Sequence, residues 1–172
     1  MGGPCVIPER KTVVTTKSDF SEEAWARIVR APFVAGLAIS LADPGGPIEA
    51  AKETMATMKS ATNPPSREQL LAEVALEIQA MAHERKHPLK GYRPTKGESP
   101  GTQVLDELRE VKALVATRAT PEETAAFGAW LVASAQAAAE AAKDGGFMGF
   151  GAQQVSDGEQ AMLDRVRETV SD

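Results

Sequence analysis

The sequence predicts an all-α fold, a single helical bundle of about seven helices built from hairpin-like units, and three observations carry that reading. Apolar residues recur at three- and four-residue intervals through most of the chain after residue 20. Two small-residue runs end alike, in Ala42-Asp43-Pro44-Gly45-Gly46 and Ala142-Lys143-Asp144-Gly145-Gly146, each passing from a close-packing helix through a forced turn to a new helix start. The one β-prone string, Thr12-Val13-Val14-Thr15-Thr16, is too short and isolated to imply a sheet. At 172 residues the chain fits one domain and is long enough to bury roughly two-thirds of its unfolded surface without disulfides or metals.

Residues 1–19 carry no helical period and read as a flexible arm, with the helical domain spanning 20–172. Ser21 reads as the first N-cap, with Glu22 and Glu23 in the first turn and Phe20 placed to staple onto Trp25. Ala31-Pro32 should break or kink this helix, leaving 33–42 as a second, small and apolar one. Pro47 then opens a helix that Asn63-Pro64-Pro65 stops. Ser66 and Gln69 form a capping-box pattern for the next, whose core face is Leu70, Val74, Ile78 and Met81 with Leu71 and Ala75 alongside. That helix must stop near His87, because Pro88 disfavours helical geometry in the residue before it, and 88–101 is a basic Gly/Pro-rich loop.

Val104, Leu105, Leu108, Val111 and Val115 mark a fifth helix. Thr120-Pro121-Glu122-Glu123 combines an N-cap, an N1 proline and an N3 carboxylate, the strongest helix start in the chain. The sixth helix carries Phe127, Trp130 and Leu131 before an alanine-rich run at 133–142, which lets neighbouring backbones approach and so predicts a central position. After a glycine loop at 145–151, Ser156 and Glu159 box the start of a last helix presenting Met162, Leu163, Val166 and Val170.

The formal charge of −5 argues against a general nucleic-acid binder. Cys5 is the single cysteine, so no internal disulfide is available and a reducing compartment is expected. No stretch approaches the roughly 18 apolar residues a membrane span requires. Met1-Gly2-Gly3-Pro4 lacks the basic and apolar regions of a signal peptide, and Val6 stands where a myristoylation signal needs Ser or Thr. The expected home is the cytoplasm, without membrane attachment.

The segment Ala31-Pro32-Phe33-Val34-Ala35-Gly36-Leu37-Ala38, continued through Ala42-Asp43-Pro44, resembles an uncharacterised group of bacterial all-helical proteins, as do Gly145-Gly146-Phe147-Met148-Gly149-Phe150-Gly151 and the Val155-Ser156 to Glu159 spacing. More remotely, the two hairpin ends resemble the tellurite-resistance TerB-like domains. That resemblance implies a bacterial helical bundle with acidic, metal-associated turns and a stress-associated role. The chain departs from it at Pro44, which replaces the glycine after Asp43, and at Lys143 before Asp144, so no metal turn is carried over.

The sharpest chemical string is His83-Glu84-Arg85-Lys86-His87, a full match to H-E-x-x-H. On a continuous helix the two histidines would share a face and ligate zinc, with Glu84 as general base and Glu107 or Glu110 from the following helix as third protein ligand. Against that zinc-hydrolase reading, Pro88 truncates the helix at the second ligand, no further histidine follows, and no edge strand is expected to hold a peptide. The competing reading is a solvated helix end, where histidines beside Arg85 and Lys86 interact with the terminal dipole when protonated. Gly97-Glu98-Ser99-Pro100-Gly101 has the spacing of a nucleophile elbow, but Pro100 has no N–H for an oxyanion and the segment reads as loop.

Two further surfaces are candidates. Arg85, Lys86, Lys90, Arg93 and Lys96, with Tyr92 among them, form a basic cluster that is either a solvated loop or a contact for an acidic or phosphate-bearing partner. Phe147, Met148 and Phe150 either fold back to close the core or offer a ligand or partner surface. The sequence thus reads first as a non-enzymatic binding or stress-associated module without a cofactor, acting on a protein partner or a second copy of itself, with the zinc hydrolase as the alternative.

Overall fold

The computed structural model describes residues 14–95, 97, 99–143 and 155–171, and among these the chain is helix joined by turns, with no strand. A single 3-10 turn, Lys17–Asp19, precedes α1 (Glu22–Ala42), α2 (Pro47–Ala61), α3 (Gln69–His83), α4 (Pro100–Ala116), α5 (Pro121–Lys143) and α6 (Asp157–Ser171). The all-α class holds, and the described residues contain six α-helices where about seven were expected.

The difference lies at Pro32, which sits inside a continuous α1 rather than ending one helix and starting another. An interior proline removes a backbone hydrogen bond and costs about 3 kcal/mol in an isolated helix. Here residues 31–36 are all buried, and their packing against the neighbouring helices offsets that cost. Uninterrupted, α1 is long and apolar enough to cross a membrane by length and composition, which corrects the expectation that no stretch qualifies. Its apolar surface is instead packed against α2, α4, α5 and α6.

As expected, α5 is the other central helix, lying against α1, α2 and α6. Phe127, Trp130, Leu131, Ala135, Ala138 and Ala139 are fully buried along it. Trp130 donates its indole N–H to the Ser60 carbonyl at 3.0 Å, satisfying a group in the last turn of α2. Two glycines set how near the helices come. A Cβ on Gly36 would lie 2.4 Å from the Thr57 hydroxyl of α2, and one on Gly128 would lie 2.6 Å from the Val170 carbonyl of α6.

The helix starts follow their caps. Ser21 Oγ accepts from Ala24 N–H at 3.2 Å while Phe20 packs on Trp25 with ring centroids 6.2 Å apart. Thr120 and Glu123 exchange both bonds of a capping box at 3.0 and 3.1 Å, and Ser156 and Glu159 do so at 2.8 and 3.2 Å. Ser66 does not cap α3. Its hydroxyl accepts from Glu68 N–H at 3.4 Å, and the helix begins at Gln69.

The segment before α1 also departs from expectation. Thr15 is buried and bonded to Glu123, and Lys17 reaches Glu73 through its backbone and Glu77 through its ammonium, both at 2.7 Å. Residues 14–19 are therefore docked on α3 and α5 rather than forming part of a free arm.

Candidate functional site

The H-E-x-x-H string spans the end of α3, and the way that helix ends decides its geometry. Lys86 N–H closes back onto the Met81 carbonyl at 2.8 Å and Arg85 N–H onto Ala82 at 3.0 Å, with Arg85 in the left-handed region at φ 55°. This is a Schellman closure made with a non-glycine residue. It turns the chain off the helix axis after His83, so His83 and His87 do not share a helical face, and the arrangement the zinc reading required is not formed.

His83 stays exposed on the last turn of α3, whereas His87 folds inward. Its ring stands edge-on to Phe33 of α1 with centroids 5.1 Å apart, and the next residue, Pro88, is buried. Leu89 N–H donates to His87 Nδ1 at 3.1 Å, which assigns the proton of the neutral ring to Nε2. Burial holds its pKa below the ordinary imidazole value. The expectation of two solvated histidines at a helix end is thus met by His83 and corrected for His87.

The proposed third ligands are engaged elsewhere. Arg27 grips Glu107 with two bonds at 3.1 and 2.8 Å and Glu110 with one at 2.7 Å, while Arg30 adds a bond to Glu107 at 3.3 Å. Burial pushes the Glu107 carboxyl upward, but the two guanidiniums outweigh it and hold its pKa below the ordinary carboxylate value. The same contacts raise Arg27. Glu84 is exposed and paired with Lys86. Among the described residues no group of three or more His, Cys, Asp or Glu side chains converges as a metal site would.

The turn from Glu84 to Lys90 roofs a groove of about 570 Å³ between α1 and α3. Trp25, Val29 and Met81 contribute its apolar floor, and Lys17, Arg30, Lys86 and Lys90 stand around it with Glu22, Glu77 and Glu84. Lys17 hydrogen-bonds Glu77 and holds that carboxyl below its ordinary value. Arg30 lies over the Tyr92 ring with its guanidinium carbon 4.8 Å from the centroid. Burial, with Glu107 nearby, raises the Tyr92 hydroxyl. Arg85, Lys90 and Arg93 are exposed and make no ion pair among the described residues. Of the candidates named from sequence, Glu84, Lys86, His87 and Lys90 come together here. Lys96, Phe147, Met148 and Phe150 lie outside the described residues.

Sequence reasoning missed a small cavity of mixed polar and apolar lining on the other side of His87. It measures about 60 Å³ and is lined by Ser40, Glu53, Thr54 and Thr57 from α1 and α2, together with Phe33 and His87. Ser40 donates to a buried Glu53 carboxylate. Burial raises the Glu53 pKa, the Ser40 bond pulls it down, and Glu159, Glu49 and Asp43 push it up again. The signal was present as two helical i, i+4 pairs, Gly36 with Ser40 and Glu53 with Thr57, but nothing local says that they face each other. At about two water volumes the cavity is too small for a substrate, and His87 lines both it and the open groove.

The fold and this groove define an all-helical domain with a surface cleft rimmed by charges of both signs. No family model, curated protein or solved structure matches the chain.

Proposed function

We propose that the chain is a non-enzymatic binding module whose working surface is the groove between α1 and α3, taking an acidic, partly apolar segment of a partner protein. The observation that carries this reading is the association of an apolar floor with a rim that includes an unpaired Lys90. Lys86 is engaged only in an exposed ion pair with Glu84, which contributes little and exchanges readily for a partner carboxylate, while Lys17 pairs with Glu77 and lies over the Trp25 ring of the floor. Arg30 is fixed by Glu107 and Tyr92 and supplies an oriented positive charge beside the floor. Charge complementarity of this kind sets partner choice and association rate. A stress-associated role enters only through the TerB-like resemblance of the two hairpin ends.

The test is binding of a labelled peptide alternating glutamate and leucine, followed by fluorescence polarisation at low and high salt. Lys86→Glu combined with Lys90→Glu should weaken binding by about an order of magnitude and flatten its salt dependence. Affinity unchanged by that reversal would remove the groove as the working surface.

A further inference from the structure

We propose a second binding site, for a small amphipathic monocarboxylate, in a groove of about 890 Å³ where α4, α5 and α6 meet. Two residues that line this groove carry a polar group without a partner among the described residues. Lys112 on α4 is only 9% exposed and makes no ion pair or hydrogen bond among the described residues. Thr124 on α5 lines the same groove, and its hydroxyl is buried with no hydrogen bond. Leaving a buried hydroxyl unmatched is unfavourable, and a fold that sets it near an unpaired ammonium whose alkyl stem is buried is matched by a ligand that satisfies both.

A carboxylate does so once the Thr124 side chain rotates its hydroxyl toward the groove, with one oxygen accepting from the Lys112 ammonium and the other from Thr124 Oγ. Ala113, Ala116 and Ala125 form a wall of small apolar side chains on which an alkyl or aryl body can lie. The volume falls within the roughly 300–1,000 Å³ of small-molecule sites. Charge limits the ligand further. Arg109 also reaches the groove but is paired with Asp106, and the unpaired Glu168 at the exposed edge opposes a second negative charge. A monoanion therefore fits, whereas a phosphate dianion does not. The site shares no lining residue with the groove between α1 and α3 and does not depend on it.

The probe is octanoate, with octanol as its uncharged counterpart, titrated into the full chain by calorimetry and by amide chemical-shift mapping. Octanoate should bind saturably at one site, with shifts clustered on the second half of α4, the start of α5 and the end of α6. Lys112→Met, which keeps the length of the side chain, should weaken octanoate about tenfold and leave octanol unaffected, and Thr124→Val should weaken octanoate severalfold. Absence of saturation, shifts centred elsewhere, or equal octanoate affinity in Lys112→Met would each overturn the site. Should the Lys112→Met variant fail to fold by circular dichroism, the shift map on the unmodified chain and the Thr124→Val titration decide the matter.

Discussion

Thr15 and Glu123, 108 residues apart, form a single buried junction that ties the segment before α1 to the start of α5. Thr15 donates its N–H to Glu123 Oε1 at 3.2 Å and its hydroxyl to Oε2 at 2.6 Å, while Oε2 also accepts from Thr120 N–H at 3.0 Å. One carboxylate thus caps a helix, faces its positive dipole end and anchors a distant strand of chain.

Replacing that carboxylate should cost more than removing a cap alone. Thr120→Ala is expected to lower stability by about 1 kcal/mol, and Glu123→Ala by about 2–4 kcal/mol because three donors lose their acceptor. Urea midpoints at equal slope measure both. In a cycle with Thr15→Val, the two losses should combine to less than their sum. Strict additivity would show that Thr15 does not depend on Glu123.

Glu107 joins α4 to α1 through one carboxylate held by Arg27 and Arg30. Removing it in Glu107→Ala leaves Arg27 and the half-buried Arg30 without their shared partner, and should cost about 2–3 kcal/mol. The arginines hold the folded pKa below the ordinary value of 4.5, so this contribution is complete above 4.5 and disappears as pH falls through the lower, folded value. Acid unfolding of Glu107→Gln should accordingly lose part of that pH dependence. An identical acid curve in the variant would count against the cluster.

Local chemistry made the helix starts legible. Ser21, Thr120 and Ser156 each sit within three residues of the groups they bond, so their sequence pattern contains the whole interaction. The failures share the opposite property. Pro32 carries a local breaking signal that burial by four other helices overrides. Arg85 adopts a conformation that usually announces itself as glycine, so the end of α3 was placed by Pro88 instead and the histidine pair was read as helical. Thr15, Arg30 and Glu53 owe their roles to partners on other elements, and no short-range spacing encodes those partners.

Gly36 offers a direct test of how tightly α1 meets α2. A methyl there would overlap Thr57 Oγ1 and Cγ2, at 2.4 and 2.8 Å from the new carbon, so Gly36→Ala should destabilise by about 1–3 kcal/mol. Adding Thr57→Ala removes both of those atoms and leaves only the Thr57 Cβ, 3.1 Å away. The double variant should therefore recover part of the loss. A thermal midpoint that falls further in the double variant would show that Thr57 contributes packing rather than a barrier.

His87 should make stability depend on pH on the acid side of neutrality. Its ring is packed on Phe33, its Nδ1 accepts the Leu89 N–H, and burial lowers its folded pKa below 6.5. Glu53, which lines the adjoining cavity, accepts the Ser40 hydroxyl. Above 6.5 the imidazole is neutral in both states and its contribution is whole. As pH falls through 6.5 the unfolded chain takes up a proton that the folded chain refuses, and stability declines until the lower, folded value is passed. His87→Gln retains an acceptor for the Leu89 N–H and removes the titration, so its stability should vary less over that window. A proton NMR titration of the folded protein that placed His87 at or above 6.5 would contradict the half-buried, Nδ1-accepting ring on which the slope depends.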